Sequence, residues 1–384
     1  MLVTANYRLG RFGFFAHPAL TAEHPDEPTG NFAFLDHVAA LEWVRDEIAA
    51  FGGDPGAVTI VGESSGSRSV EAMLIAPGAR GLFHRAVVQS TTHRLAPAVP
   101  LRTTDGSAPS GEGIGVAFAE SVGLPDADAD ALRAIPVDAV VGGLGPGSIE
   151  ASTFAGPMVD GRVLTEPFEA AFAHGRIAAV PLVMGATDYE AAVFDPDAQY
   201  DRLVARYAGR IEALVARYED AFPDEHDRRT RFVTDGLFGE PSRFMARAAA
   251  RAQPAVYLYR FSYVAERLRG RVGGALHASE LPYVFDTLPE IVQSCQSEAW
   301  FQRLYAPGFA ATDADRAVAA TTHGYWIDFA RTGDPNGGDR PRWTPLLADG
   351  DAMLEIGDAA TTDRGEAVRA RYDAWSAVLA PERD

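Results

Sequence analysis

The sequence predicts an α/β fold, with a mostly parallel sheet and helices on both faces. Over residues 31–89, β-prone segments alternate with segments whose apolar positions recur at helical spacing. This order is typical of parallel sheets, because a helix usually carries the chain back to the start of the next strand. The second observation is a Gly-x-Ser-x-Gly pattern between a predicted strand and a predicted helix. The chain of 384 residues has no convincing linker, so we expect one domain, residues 1–384.

The first elements are predicted from apolar periodicity and glycine punctuation. Residues 2–7 predict a strand and residues 8–15 a glycine-containing loop. Residues 31–51 carry apolar positions at helical spacing, and Gly52 marks the helix end. A strand over residues 83–89 follows the Gly-x-Ser-x-Gly segment.

The later elements alternate in the same way. Short helices are predicted between residues 115 and 141, and the remaining strands over residues 180–185, 255–263 and 352–356. Further helices are predicted over residues 200–218, 242–252, 298–305 and 313–331 and at the C-terminus.

Composition excludes several classes of function. The chain carries 53 acidic and 34 basic residues, a formal net charge of -19, and every basic residue is arginine. Such a balance disfavours nucleic acid as a partner, because phosphates would not be neutralised. No apolar run is long enough for a membrane span. Neither nucleic acid nor a membrane span is therefore expected, and the sequence does not indicate an oligomeric state.

Cysteine content and the first residues bear on the compartment. Cys295 is the single cysteine, so no intramolecular disulfide can form. The first ten residues lack the charged region and the cleavage site of a signal peptide. The expected compartment is the cytoplasm, unless a signal peptide precedes this sequence in a longer natural protein.

The Gly-x-Ser-x-Gly pattern predicts a nucleophile elbow. Residues 58–61 read as a strand, Gly62 to Gly66 as a sharp turn and residues 68–76 as a helix. Ser64 is expected at the apex, with its hydroxyl above the sheet. Gly62 and Gly66 are expected to be required because strand and helix approach closely there. Glu63 is expected to point away from the nucleophile as a structural carboxylate.

A serine nucleophile needs a base, and the base needs an acidic partner that fixes its tautomer. On a parallel sheet, both partners are expected after later strands, in the order serine, acid, histidine. His277 lies in the loop that follows the predicted strand 255–263. Asp188 and Glu190 both follow the strand 180–185, and position alone does not decide between them.

Several stretches resemble the type-B carboxylesterases, the family that includes para-nitrobenzyl esterases, mammalian carboxylesterases and cholinesterases. The resemblance extends over nearly the whole chain and is most specific in the segment that ends in GESSG. The matching stretches are NYRLGRFGFF, GNFAFLDHVAALEWVRDEIAAFGGDPGAVTIVGESSG, GLFHRAVVQS, GPMVDGRVL, VPLVMGATDYEAAVF, HASELPYVF and WIDFARTGDPN.

The resemblance implies an α/β-hydrolase fold and hydrolysis of small-molecule carboxylic esters without a metal or organic cofactor. Residue by residue, it implies Ser64 as nucleophile, His277 as base and Glu190, rather than Asp188, as acid. The backbone N–H of Ser65 is then one oxyanion donor. Activity is expected to fall as pH drops through roughly 6–7, the range of an ordinary histidine pKa.

One departure from the family pattern concerns the start of the sequence. The family's His-Gly-Gly-Gly type loop, which supplies further oxyanion donors, and its first strands lie before the segment that corresponds to residues 2–7. We therefore expect an N-terminally truncated domain whose natural form is longer. The alternative is a non-catalytic remnant or binding scaffold on the same fold. Within the enzymes, the same three residues could also serve an amidase or carbamate hydrolase.

Overall fold

The structure, a computed structural model, describes most of the chain as two compact units. The first unit comprises residues 1–58, 69–84 and 96–178, and the second residues 59–68, 85–95 and 179–384. The prediction of a single domain stays a prediction. The residues that the structure describes are 1–27, 29–92, 94, 98–103, 109–144, 152–253, 255–288, 310–347, 350–361 and 365–380.

The first unit is mainly helical. Its longest helix, α3 (Phe32–Glu47), continues as a 3-10 turn (Ile48–Phe51) and ends at Gly52, whose φ of 82° is left-handed. This helix and its end confirm the prediction for residues 31–51. Numbered in chain order, the other elements are α1 (Gly10–Gly13), α2 (Pro18–Thr21), α5 (Gly111–Ser121), α6 (Ala129–Arg133), α7 (Val137–Val141), α8 (Phe168–Ala173) and the paired strands β3 (Val99–Pro100) and β4 (Met158–Val159).

Two predictions for the start of the chain are wrong. Residues 2–7 form no strand, and Leu2 and Val3 are 73% and 46% exposed. A strand needs a hydrogen-bonded neighbour, and no described strand pairs with these residues. The predicted loop over residues 8–15 contains the helical turn α1, because Gly10 allows a left-handed φ of 55° at its start.

The second unit is built on one six-stranded sheet. Among the described residues, five of its strands are parallel and lie side by side in chain order, and the sixth pairs antiparallel with the fifth. The predicted mostly parallel sheet is therefore confirmed. The strands are β1 (Thr59–Glu63), β2 (Arg85–Gln89), β5 (Leu182–Thr187), β6 (Val256–Phe261), β7 (Leu354–Ile356) and β8 (Ala360–Thr361).

Helices and irregular turns of the second unit cover the sheet. The predicted helix 200–218 is two helices, because Gly209 between them has a left-handed φ of 85°. A helix at residues 225–234 was not predicted, and the predicted helix 298–305 lies outside the described residues. The helices are α9 (Pro196–Arg206), α10 (Glu212–Ala221), α11 (Glu225–Thr234), α12 (Glu240–Ala250), α13 (Leu281–Val284), α14 (Asp313–Thr332) and α15 (Glu366–Leu379).

The two sheet faces carry different side chains. Along β6, Tyr257, Tyr259 and Phe261 alternate onto one face and join a buried cluster with Tyr325 and Phe329 of α14. The intervening Arg260 is on the opposite face, as the alternation along a strand requires. Of the described helices, none has both the length and the apolar character needed to cross a membrane.

Candidate active site

Ser64 lies at a strained turn between β1 and the helix α4 (Ser65–Ile75), as the Gly-x-Ser-x-Gly pattern predicts. Its φ of 56° is left-handed, a conformation that is costly for a residue other than glycine. Its N–H donates to the Gln89 carbonyl over 2.9 Å. Its own carbonyl accepts hydrogen bonds from the N–H and hydroxyl of Ser67, at 3.0 and 2.6 Å. Neighbouring backbone thus holds the strained turn from both sides.

The two glycines of the pattern differ in their surroundings. A Cβ added at Gly62 would lie 2.1 Å from the Gly66 carbonyl oxygen and 2.9 Å from the Ser67 nitrogen. The close approach of strand and helix predicted at Gly62 is therefore present. At Gly66 the same expectation is wrong, since no described atom outside its own helix backbone would lie within 4 Å of a Cβ there.

Glu190 is buried directly after β5, at the start of a 3-10 turn, and its side chain is fully enclosed. Its Oε1 accepts hydrogen bonds from the Ser90 hydroxyl at 2.6 Å and the Thr187 N–H at 2.7 Å. Its Oε2 is 2.5 Å from Nδ1 of His277. These donors hold the carboxylate in one orientation, in which it can accept a hydrogen bond from the Nδ1–H of the histidine.

His277 lies in a loop after β6, and its side chain is only 8% exposed. Two phenylalanine rings flank the imidazole: the Phe194 centroid is 4.9 Å and the Phe238 centroid 5.7 Å away. With Nδ1 bound to Glu190, the neutral ring carries its proton on Nδ1, so Nε2 is the nitrogen that can accept a proton. The site therefore contains an oriented, shielded base.

Glu63 also contacts this histidine, contrary to the prediction from the sequence. Its Oε1 is 3.2 Å from Nε2 of His277, so the expectation that Glu63 points away is wrong. The left-handed turn at Ser64 changes the chain direction just after Glu63, and the alternation of side chains along β1 does not extend through it. The residue directly before Ser64, Glu63, thus contacts Nε2 of His277.

The charges around His277 alter its pKa and those of two glutamates. Burial alone would lower the pKa of His277, but the surrounding negative charges, foremost Glu190, raise it to about 9. Burial raises the pKa of Glu280 to about 8 and that of Glu63 to about 7. The histidine and these carboxyl groups therefore titrate as one interacting cluster.

The other predicted residues have distinct positions. Ser65 is the first residue of α4, so its N–H lies at the positive end of a helix. Asp188 contacts the backbone of Ala275 and two arginines. Sequence reasoning missed Ser90, Phe238 and Glu280. Ser90 follows a predicted strand and could have been sought there, and Glu280 lies near His277 in sequence, whereas Phe238 reaches the histidine only through folding.

The chain is similar in sequence to known proteins over nearly its whole length. The model of the carboxylesterase family matches residues 1–375. The para-nitrobenzyl esterase of Bacillus subtilis strain 168 is 30% identical over 348 residues, which cover 88% of this chain and 65% of that protein. The fumonisin B1 esterase of Sphingopyxis macrogoltabida is 30% identical, with coverage of 92% and 63%. The chain thus spans somewhat less than two thirds of the length of these relatives.

Solved structures show the same fold. A para-nitrobenzyl esterase structure superposes with a TM-score of 0.73 at 28% identity, covering 96% of this chain and 73% of the other. The carboxylesterase EST55 of Geobacillus stearothermophilus at pH 6.2 gives a TM-score of 0.73 at 31% identity, covering 96% and 74%. The predicted α/β-hydrolase fold is confirmed by these likenesses.

Proposed function

Because the chain belongs to the carboxylesterase family, we propose that it hydrolyses carboxylic esters of small molecules through a covalent acyl-enzyme. The observation that carries the proposal is the buried contact of 2.5 Å between Glu190 and Nδ1 of His277, whose Nε2 lies 3.2 Å from Glu63, the residue before Ser64. The esterases among the chain's relatives support ester chemistry in particular.

In the proposed mechanism, the Ser64 hydroxyl attacks the ester carbonyl while Nε2 of His277 takes its proton. Glu190 stabilises the resulting imidazolium through Nδ1. The N–H of Ser65, at the helix start, donates to the oxyanion of the tetrahedral intermediate. His277 then protonates the leaving alcohol, and a water molecule activated by the same histidine releases the acid. No step requires a metal or an organic cofactor.

A fluorophosphonate tests whether Ser64 is an activated nucleophile. We expect intact-mass spectrometry to show one covalent adduct on the wild type and none on Ser64→Ala, because only a deprotonated serine attacks phosphorus rapidly. Ser65→Ala is the matched control: it removes the adjacent hydroxyl, keeps the proposed oxyanion N–H and should be labelled. A folded wild type that forms no adduct would support the non-catalytic scaffold instead.

The pH dependence of hydrolysis follows from the charges around the base. With the pKa of His277 raised to about 9, the ring is largely protonated at neutral pH and cannot accept the Ser64 proton. We therefore expect kcat/KM to rise with pH and to reach half its plateau above pH 7, rather than at roughly 6–7. The measurement is a pH–rate profile with a 4-nitrophenyl ester, corrected for its spontaneous hydrolysis.

Glu280→Gln is the control for that profile. Removing this carboxylate removes one charge that favours the imidazolium, so the midpoint is expected to move to lower pH. A wild-type midpoint at or below the ordinary histidine value of about 6.5, unaltered in Glu280→Gln, would contradict the electrostatic argument.

A further inference from the structure

We infer that Asp188 is a positioning residue for His277, because its carboxylate holds the backbone of the loop that presents the histidine. The inference rests on the proposed function, in which His277 is the base. Asp188 directly follows β5, and its N–H donates to the Phe261 carbonyl at the end of β6 over 2.9 Å. The sheet therefore fixes the backbone from which this carboxylate projects.

Asp188 binds the histidine loop directly. Its Oδ1 accepts a hydrogen bond of 2.7 Å from the N–H of Ala275, two residues before His277. The Ala275 carbonyl in turn accepts a 2.9 Å hydrogen bond from the N–H of Tyr189. Both polar backbone groups of Ala275 are thus bound by consecutive residues, 188 and 189, that lead into Glu190.

This arrangement aligns two short segments. Residues 188–190 and 275–277 run side by side, and Tyr189 and Leu276 form an isolated parallel bridge. Each segment ends in one partner of the contact between Glu190 and His277. A shift of the Ala275 backbone would therefore displace the imidazole relative to the carboxylate that orients it.

Two arginines fix the Asp188 carboxylate. Its Oδ2 lies 3.2 Å from Arg260 and 3.5 Å from Arg231, and the Asp188 side chain is 10% exposed. Arg231 also donates to the Gly273 carbonyl over 2.6 Å, so it binds the same loop. Each arginine has a second carboxylate partner: Asp227 for Arg231 and Glu355 for Arg260.

The space around the carboxylate is tight. A Cβ added at Gly274 would lie 2.6 Å from Oδ1 of Asp188 and 2.8 Å from Cβ of Tyr189. A longer or displaced side chain at position 188 would therefore push the loop rather than fill a void. The length of the side chain, and not only its charge, is suited to the contact.

The test compares three variants by steady-state kinetics and proton NMR. Asp188→Asn keeps the volume but turns an amide group either towards the arginines or towards the N–H of Ala275, so one of the two contacts becomes repulsive. Each arginine keeps its other carboxylate, so the variant is expected to fold. Asp188→Glu keeps the charge and displaces Ala275. Glu355→Gln is the matched control: it makes the same carboxylate-to-amide change on Arg260, and its side chain is 8% exposed.

We expect both Asp188 variants to lower kcat by about 100-fold with little change in KM, because misplaced reacting groups impair chemistry more than binding. They should also lose the downfield Nδ1 proton resonance of His277, which reports its hydrogen bond to Glu190. Glu355→Gln should keep both. Asp188 variants with wild-type kcat and resonance, or equal losses in Glu355→Gln, would overturn the inference.

The resonance also separates this inference from the proposed function. A folded wild type that neither hydrolyses esters nor reacts with a fluorophosphonate would contradict the proposed function, whereas the resonance tests the positioning of His277 without turnover. If Asp188→Asn proves unfolded by circular dichroism, the charge-conserving Asp188→Glu decides the question, and a wild-type resonance there overturns the inference.

Discussion

Replacing His277 with glutamine is expected to lower kcat for hydrolysis of a 4-nitrophenyl ester by about 10⁶-fold, the loss typical when a serine hydrolase loses its base. Glutamine cannot take the Ser64 proton, so only binding and oxyanion stabilisation remain. Glu190→Gln is expected to cost about 10⁴-fold, because the amide no longer stabilises the imidazolium or selects the tautomer with the proton on Nδ1. Burst and steady-state kinetics on purified variants measure both effects.

A matched control for this prediction is His323→Gln. His323 is a partly buried histidine of α14, and its Nδ1 lies 2.8 Å from the Val284 carbonyl. Its replacement should leave kcat unchanged, which separates loss of a base from loss of a structural histidine. Comparable losses in the two variants, or a His277→Gln enzyme within tenfold of the wild type, would show that another group is the base.

Gly62→Ala is expected to destabilise the protein by about 3 kcal/mol, the upper part of the usual range for overpacking. The added Cβ would lie 2.1 Å from the Gly66 carbonyl oxygen and 2.3 Å from its carbonyl carbon. Both are backbone atoms, so no side-chain rotation relieves the contact, and the strand and helix must separate. Urea denaturation followed by circular dichroism measures the change in the free energy of unfolding.

Gly66→Ala is the natural comparison, because it makes the same substitution four residues away. Position 66 lies within α4, and no described atom beyond that helix's own backbone would contact the new Cβ. Alanine is favoured over glycine inside helices by about 0.5–1 kcal/mol, so this variant should be stabilised. Similar changes in unfolding free energy for both variants would contradict the argument from close approach.

Much of the site could be predicted from sequence because its parts follow strand ends. The Gly-x-Ser-x-Gly pattern around Ser64 lies between a β-prone segment and a segment with helical periodicity, and His277 follows another strongly β-prone segment. The choice of Glu190 over Asp188 needed the family resemblance, since both follow the same strand. Sequence periodicity does not decide which of the two is the acid. In the structure, Glu190 contacts His277 itself, whereas Asp188 binds the backbone N–H of Ala275.

The rest depended on contacts that no local pattern reports. Glu280 lies near His277 in sequence, but its burial and the 3.0 Å hydrogen bond that it accepts from Gln89, which is distant in sequence, follow only from the fold. Phe238 is brought to His277 by the π-helical turn Asp235–Gly239, whose extra residue interrupts the α-helical spacing. The predicted strand at residues 2–7 failed for a related reason, because strand pairing is a tertiary property.

The left-handed backbone at Ser64 has a counterpart at Ser90, where φ is 61°. Each conformation costs of order 1–3 kcal/mol for a residue with a Cβ, and glycine would remove most of that cost. Selection for stability alone would therefore place glycine at both positions. Ser90 donates its hydroxyl to Glu190 and Ser64 provides the proposed nucleophile, so chemistry and stability favour different residues at these two positions.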